Sequence, residues 1–291
     1  MQAISQNDAR RSLEDVRTEA DTVMSVVRST DGTPIAYERR GSGAPLILVD
    51  GALCSRAFGP SSKLAPLLAQ HFTVFTYDRR GRGQSGDAGQ YAPSREVDDI
   101  AALIDEAGEA ASLLGLSSGG ALALEAAASG LRIDRVIAYE PPYVDVNGQG
   151  GGAAHEQQLK RLLASGRRGD AVKYFMKDMV GIPAAIVVMM RMMPWIWRKL
   201  EAVAHTLPYD AAVMTEFRIP EARFATINRP ALVMNGSKTD ARLRHAARTV
   251  ANIVPNAQYG ELPRQTHNVK PGILVPAVVE FMASTAADAR S

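Results

Sequence analysis

Five consecutive residues in this chain have the spacing of a nucleophile turn: Gly115-Leu116-Ser117-Ser118-Gly119. An apolar run at 110–114 precedes them and an alanine-rich stretch at 119–128 follows, so a strand leads in and a helix leads out. On so tight a turn, small residues two before and two after the serine avoid a clash, and the hydroxyl stands exposed above the sheet. The helix N-terminus beneath it favours negative charge. Ser118 offers a second hydroxyl, but only Ser117 has glycine at both flanking positions. A serine hydroxyl is a weak nucleophile until a base takes its proton. Among His71, His155, His205, His245 and His267, only His267 is expected in a loop just after the last strand, where it could reach back over the sheet. That base needs an acid to fix its tautomer and stabilise the imidazolium. Asp240, five residues beyond a strand ending at Asn235, is the expected acid; its competing role is the N-cap of the next helix. Glu140, after the preceding strand, is the fallback.

The elements that would position these residues alternate. Residues 24–29 and 34–39, joined through Asp31-Gly32, read as a β-hairpin. The apolar run 45–49 (PLILV) suits a central strand buried on both faces. Further strands are expected at 72–77, 110–114, 135–139, 231–235 and 258–262. Helical spacing appears near Leu64–Leu68 and over 94–106, 119–128, 241–251 and 276–282. Strands alternating with helices imply right-handed crossovers and a mostly parallel sheet covered on both sides. Between 142 and 229 the rhythm stops: no strand pattern appears, only a glycine-rich NGQGGG and several helical stretches. The chain therefore divides into a polar extension at 1–22, a sheet domain at 23–141 and 230–291, and a helical insert at 142–229.

Composition removes several classes. The 33 Lys and Arg nearly cancel the 31 Asp and Glu, and no basic cluster supplies a nucleic-acid footprint. The single cysteine, Cys54, excludes an intramolecular disulfide and a multi-cysteine zinc site. No secretory h-region appears near the N-terminus, and the longest apolar run, Met179–Met190, is 12 residues broken by Pro183. A membrane span needs ~20 residues, so a cytoplasmic protein without a span is expected.

The serine turn, its partners and their order resemble an α/β-hydrolase-fold serine hydrolase of the esterase, lipase and haloperoxidase-like branch with a helical cap. The likeness runs over roughly 26–286 apart from the insert, and includes Leu48-Val49-Asp50-Gly51 after the third strand. It also includes the D-x-x-G-x-G-x-S turn from Asp78 to Ser85 after the fourth, whose arginines lack the G-K-[ST] ending of a phosphate loop. The resemblance implies a mostly parallel central sheet with helices on both faces and a cap. It implies catalytic Ser117, Asp240 and His267, and an oxyanion hole from the backbone N–H groups of Ser118 and Ala52, with Leu53 as neighbour. It implies no cofactor and no metal. Serine in the turn disfavours the aspartate-nucleophile branches. Where the family often has His-Gly, this chain has Asp50-Gly51, so Asp50 either turns into the loop's own hydrogen bonds or selects substrate.

Seven of the eleven methionines and both tryptophans fall in the insert. Methionine adapts to irregular apolar ligands, so Leu53, Met190, Met193 and Trp197 are candidate pocket residues; the competing reading is a small helical core. The expected activity is acyl hydrolysis of a small-to-medium, largely apolar ester, lactone or thioester. The same machinery also serves cofactor-free haloperoxidases and perhydrolases, C–C bond hydrolases, and slow-turnover receptors. The expected partner is a small acyl substrate, and a homodimer is compatible with the chain.

Overall fold

The computed structural model describes residues 23–87, 89–144 and 152–284. The polar extension at 1–22 and most of the NGQGGG stretch lie outside the described residues. Strands β1 (Val23–Arg28), β2 (Pro34–Arg40), β3 (Pro45–Val49), β4 (Thr73–Tyr77), β5 (Ala111–Leu116), β6 (Ile133–Tyr139), β7 (Ala231–Gly236) and β8 (Ala257–Leu262) form one sheet. Their spatial order is β1-β2-β4-β3-β5-β6-β7-β8. The β1–β2 and β2–β4 pairs are antiparallel and the remaining pairs parallel.

The continuous apolar character of the central strands follows from burial on both faces. Ile47 and Val49 of β3 join the cluster on one face, with residues of α2 (Pro93–Ala107), α3 (Ser118–Ala128) and α10 (Ala241–Ile253). Leu46 and Leu48 point the other way, into the cluster built with α1 (Ser61–Leu68) and α11 (Pro271–Ala283). Helix α2 shows why these segments stop where they do. It opens with Pro93 at its first position, where a missing N–H costs nothing, and ends at Gly108, whose φ of 77° suits a left-handed cap. The closing helix begins earlier than its sequence pattern suggests, at Pro271, leaving Pro276 in its interior.

Between β6 and β7 the described residues hold only helical elements. These are α4 (Gly152–Ala164), α5 (Arg168–Tyr174), a π-helical turn Phe175–Met179, α6 (Ala184–Arg191), α7 (Pro194–Ala202), α8 (Leu207–Val213) and α9 (Glu221–Phe224), with two short 3₁₀ turns. They enclose a third apolar cluster with Leu159, Val172, Phe175, Met176, Met179, Trp197 and Leu200 at its centre. Leu53, from the loop after β3, belongs to that same cluster. The insert is thus packed directly on the loop beside the serine turn.

Candidate active site

Ser117 occupies the crest between β5 and α3 with φ 56° and ψ −128°. A non-glycine residue held there costs on the order of 1–3 kcal/mol, so surrounding structure must impose it. The two glycines make room for it. A Cβ on Gly115 would stand 2.3 Å from the Gly119 carbonyl oxygen, and one on Gly119 would stand 2.0 Å from the Val49 oxygen. The Ser117 N–H donates to the Tyr139 carbonyl at 2.9 Å, tying the crest to the end of β6. Across from it, a Cβ on Gly51 would lie 3.1 Å from the Ser117 Cβ, so the loop after β3 passes against the serine.

His267 lies in the loop between β8 and α11, with its side chain 40% exposed. Its Nδ1 is 2.7 Å from Oε2 of Glu140, a carboxylate with no exposed surface. The other oxygen, Oε1, accepts from the Gly236 N–H at 2.8 Å and from the Thr239 hydroxyl. Burial opposes the charge on Glu140, but the bonds from His267, Gly236 and Thr239 outweigh it and hold the carboxyl below its ordinary range. Glu140 is itself at φ 49°, and its N–H donates to the Met234 carbonyl at 2.8 Å, continuing the β6–β7 ladder one residue beyond β6. The histidine loop is anchored from the same side. Tyr139 Oη donates to the Thr266 carbonyl at 2.6 Å, and the Lys238 N–H to the Gln265 carbonyl at 2.9 Å. Gly236 lets that loop close in, because a Cβ there would meet the Gln265 oxygen at 2.3 Å.

The structure therefore brings Glu140 to His267, and not the expected Asp240. Asp240 does not reach His267: it caps α10, its Oδ1 accepting from the Arg242 N–H at 2.8 Å, and it pairs with the Arg242 guanidinium at 3.0 Å. Hydrogen bonds from Arg242 hold its carboxyl below the ordinary range. Both carboxylates follow parallel strands and share an edge of the sheet, but a helix begins directly at Asp240 and claims it. Glu140 carried a legible signal: it directly follows its strand and is followed by Pro141-Pro142, which have no N–H for a carboxylate to cap.

Ser118 stands at the first position of α3, where backbone N–H groups have no intrahelical acceptor. Ala52 and Leu53 sit in the loop after β3, Leu53 at φ 61°. Of the two readings of Asp50, the structure takes the first. Its Oδ1 accepts from the Ser61 N–H at 3.2 Å, and burial, only partly offset by the Ser61 bonds, pushes its carboxyl up to about 6. Burial also pushes the Cys54 thiol up to about 12, leaving it unsuited to nucleophilic work. Among the candidate pocket residues, Met190 is half-buried against the insert cluster and Met193 is also half-buried. Trp197 is only 6% exposed and belongs to the insert's core, while Trp195 is 65% exposed. Among the described residues, no group of three His, Cys, Asp or Glu side chains is placed to hold a metal ion, and no helix is long and apolar enough to cross a membrane.

The sequence pattern of the alpha/beta hydrolase family matches residues 41–278, which takes in the serine turn, Glu140 and His267. No curated protein is similar to the chain in sequence. Among solved structures, an alpha/beta hydrolase from Sphaerobacter thermophilus is similar at 53% identity and a TM-score of 0.83, covering 89% of this chain and 100% of that one. A bromoperoxidase from Bacillus anthracis (18% identity, TM-score 0.71, 90% and 100% covered) shares the fold. So does an esterase from a Rhodococcus species (21%, TM-score 0.65, 90% and 98% covered). A sheet of this topology, a serine on a strained strand–helix turn and a family match that takes in β3 to β8 and that turn place the chain in the alpha/beta hydrolase family.

Proposed function

We propose that this protein is a serine hydrolase that cleaves a small-to-medium, largely apolar ester, lactone or thioester through an acyl-enzyme on Ser117. The observation that carries the reading is the buried Glu140 carboxylate on His267 Nδ1, at the same sheet edge as the strained Ser117. With Nδ1 engaged, Nε2 is the nitrogen free to act as base. It takes the Ser117 proton as Oγ attacks the substrate carbonyl carbon, and Glu140 stabilises the imidazolium that results. The oxyanion is met by the N–H groups of Ser118 and Ala52. Collapse of the tetrahedral adduct breaks the bond to the leaving group, which receives the proton from His267. Water then attacks the acyl-enzyme with His267 again as base, releasing the acid and free Ser117. Leu53, Met190 and Met193 supply apolar surface to the acyl chain, and the insert acts as the cap over the site.

The test is active-site labelling. A fluorophosphonate should add one label to the wild-type protein, located at Ser117 by peptide mass mapping, and Ser117→Ala should take none. Labelling that persists in the variant would show that another residue is the nucleophile.

A further inference from the structure

Beneath the loop that carries Ala52 lies a buried charge cluster that spans the insert and the sheet. Asp210, from α8 of the insert, is fully buried. Its Oδ1 accepts from Arg79 Nη1 at 2.7 Å and from the Ser118 hydroxyl at 2.8 Å, and its Oδ2 accepts from Arg82 Nη2 at 2.7 Å. Burial disfavours its charge, but Arg82, Arg79 and the Ser118 bond keep it ionised. Arg79 has a second carboxylate, Glu96, at 2.6 and 2.7 Å. Arg82 is oriented differently: its Nη1 donates to the Gly51 carbonyl at 2.7 Å.

That carbonyl belongs to the same planar peptide unit as the Ala52 N–H. In a trans peptide the N–H points opposite to the C=O, so a guanidinium holding the oxygen turns the N–H to the other side of the loop. A charge-assisted bond to the oxygen also polarises the peptide and strengthens its N–H as a donor. The next peptide is held far less firmly: the Ala52 carbonyl, which shares a plane with the Leu53 N–H, accepts the weak thiol donor of Cys54 at 3.4 Å. Asp210 in turn fixes Arg82, and through its hydroxyl it fixes Ser118, the residue bearing the other donor.

We infer that Asp210 and Arg82 are a positioning pair: with the insert docked, they aim and polarise the Gly51–Ala52 peptide as an oxyanion donor. The inference rests on the hydrolase reading above and adds that the insert supplies part of the transition-state machinery as well as the cap.

The experiment measures kcat and KM on a p-nitrophenyl ester, with inhibition by an alkyl boronic acid and by the unreactive ether analogue of the substrate. The boronate's tetrahedral adduct on Ser117 places an oxygen among the oxyanion donors; the ether places none there. In Asp210→Asn, kcat should fall ~100-fold, the loss expected for one oxyanion donor, and boronate inhibition should weaken in step. KM and ether inhibition should stay within about threefold. Arg82→Lys keeps the charges balanced while giving up the fork geometry, and should show the same split even if Asp210→Asn folds poorly. Tyr209→Phe removes a different contact across the same seam, the 2.9 Å bond from Tyr209 Oη to Asp87, and should leave kcat unchanged. An unchanged kcat in folded Asp210→Asn or Arg82→Lys, or equal weakening of ether and boronate, would overturn the inference while Ser117 labelling stands. Turnover that survives Ser117→Ala would instead overturn the hydrolase reading, and the inference with it.

Discussion

Glu140 and Asp240 present the same functional group at the same edge of the sheet, and they differ in what already holds them. Glu140 has two donors on one oxygen and His267 on the other, with no exposed surface. Asp240 is half exposed and bonded to its own helix. Glu140→Gln should therefore lower kcat by ~10³–10⁴-fold, because the amide can hold the imidazole in the wrong tautomer. Asp240→Ala should leave kcat within about twofold and cost ~1 kcal/mol of stability as a lost helix cap. The reverse pattern in steady-state assays would return the acid's role to Asp240. Asp50 makes a separate prediction about pH. A carboxyl raised to about 6 by burial, against an ordinary 3.8, favours the folded state below pH 4, and that advantage is lost as pH rises through 6. Asp50→Asn removes the titration. Its stability relative to wild type should rise between pH 4 and 7 by up to ~3 kcal/mol. Denaturant unfolding of both proteins at the two pH values measures it, and a constant difference would refute it.

At the scale of elements, the parallel strands were legible because burial on both faces forces continuous apolar runs, as in 45–49, where β3 spans the same residues. The serine turn was legible for a steric reason that five residues express in full. Which carboxylate meets His267 was legible only in part: Pro141-Pro142 after Glu140 is a signal, but two strand-end carboxylates look alike until the helix that claims one of them is in place. The Arg79–Arg82–Asp210 cluster was less visible still: Asp210 lies 131 and 128 positions from the two arginines, and in sequence it is one polar residue on a short helix. The insert's helices carry their own prediction. Met190, in α6, and Met193, just before α7, are half-buried and supply no group to the proposed chemistry. Met190→Ala and Met193→Ala should shift preference along a series of p-nitrophenyl esters while the rate of Ser117 labelling by a small phosphonate holds. About 60 Å² of lost contact is worth ~1.5 kcal/mol, or about tenfold in kcat/KM for the longest ester. A uniform loss across the series would make these side chains structural.

At the scale of the whole molecule, the described residues pack around three apolar clusters, one on each face of the sheet and one inside the insert. Insert and sheet are joined by buried ion pairs, by Leu53, and by the stacked rings of Tyr91 and Tyr209 at 3.9 Å. The insert's own core should be sensitive to a large deletion. Trp197→Ala should cost ~3–5 kcal/mol, whereas Trp195→Ala, at an exposed position, should stay within ~0.5 kcal/mol. Chemical denaturation followed by circular dichroism distinguishes the two, and equal losses would contradict the burial difference.

Both tryptophans lie in the insert, one buried beside Arg191 and one facing solvent. The sheet domain is consequently silent in tryptophan emission, and the protein carries a native optical reporter on one of its parts alone. Light emitted on excitation near 295 nm follows the insert, while the far-ultraviolet signal follows the entire backbone. Trp195 should answer to an aqueous quencher such as iodide, and Trp197 should answer only when the insert opens. Stopped-flow fluorescence can thus follow the insert alone when substrate is added, without attaching a dye.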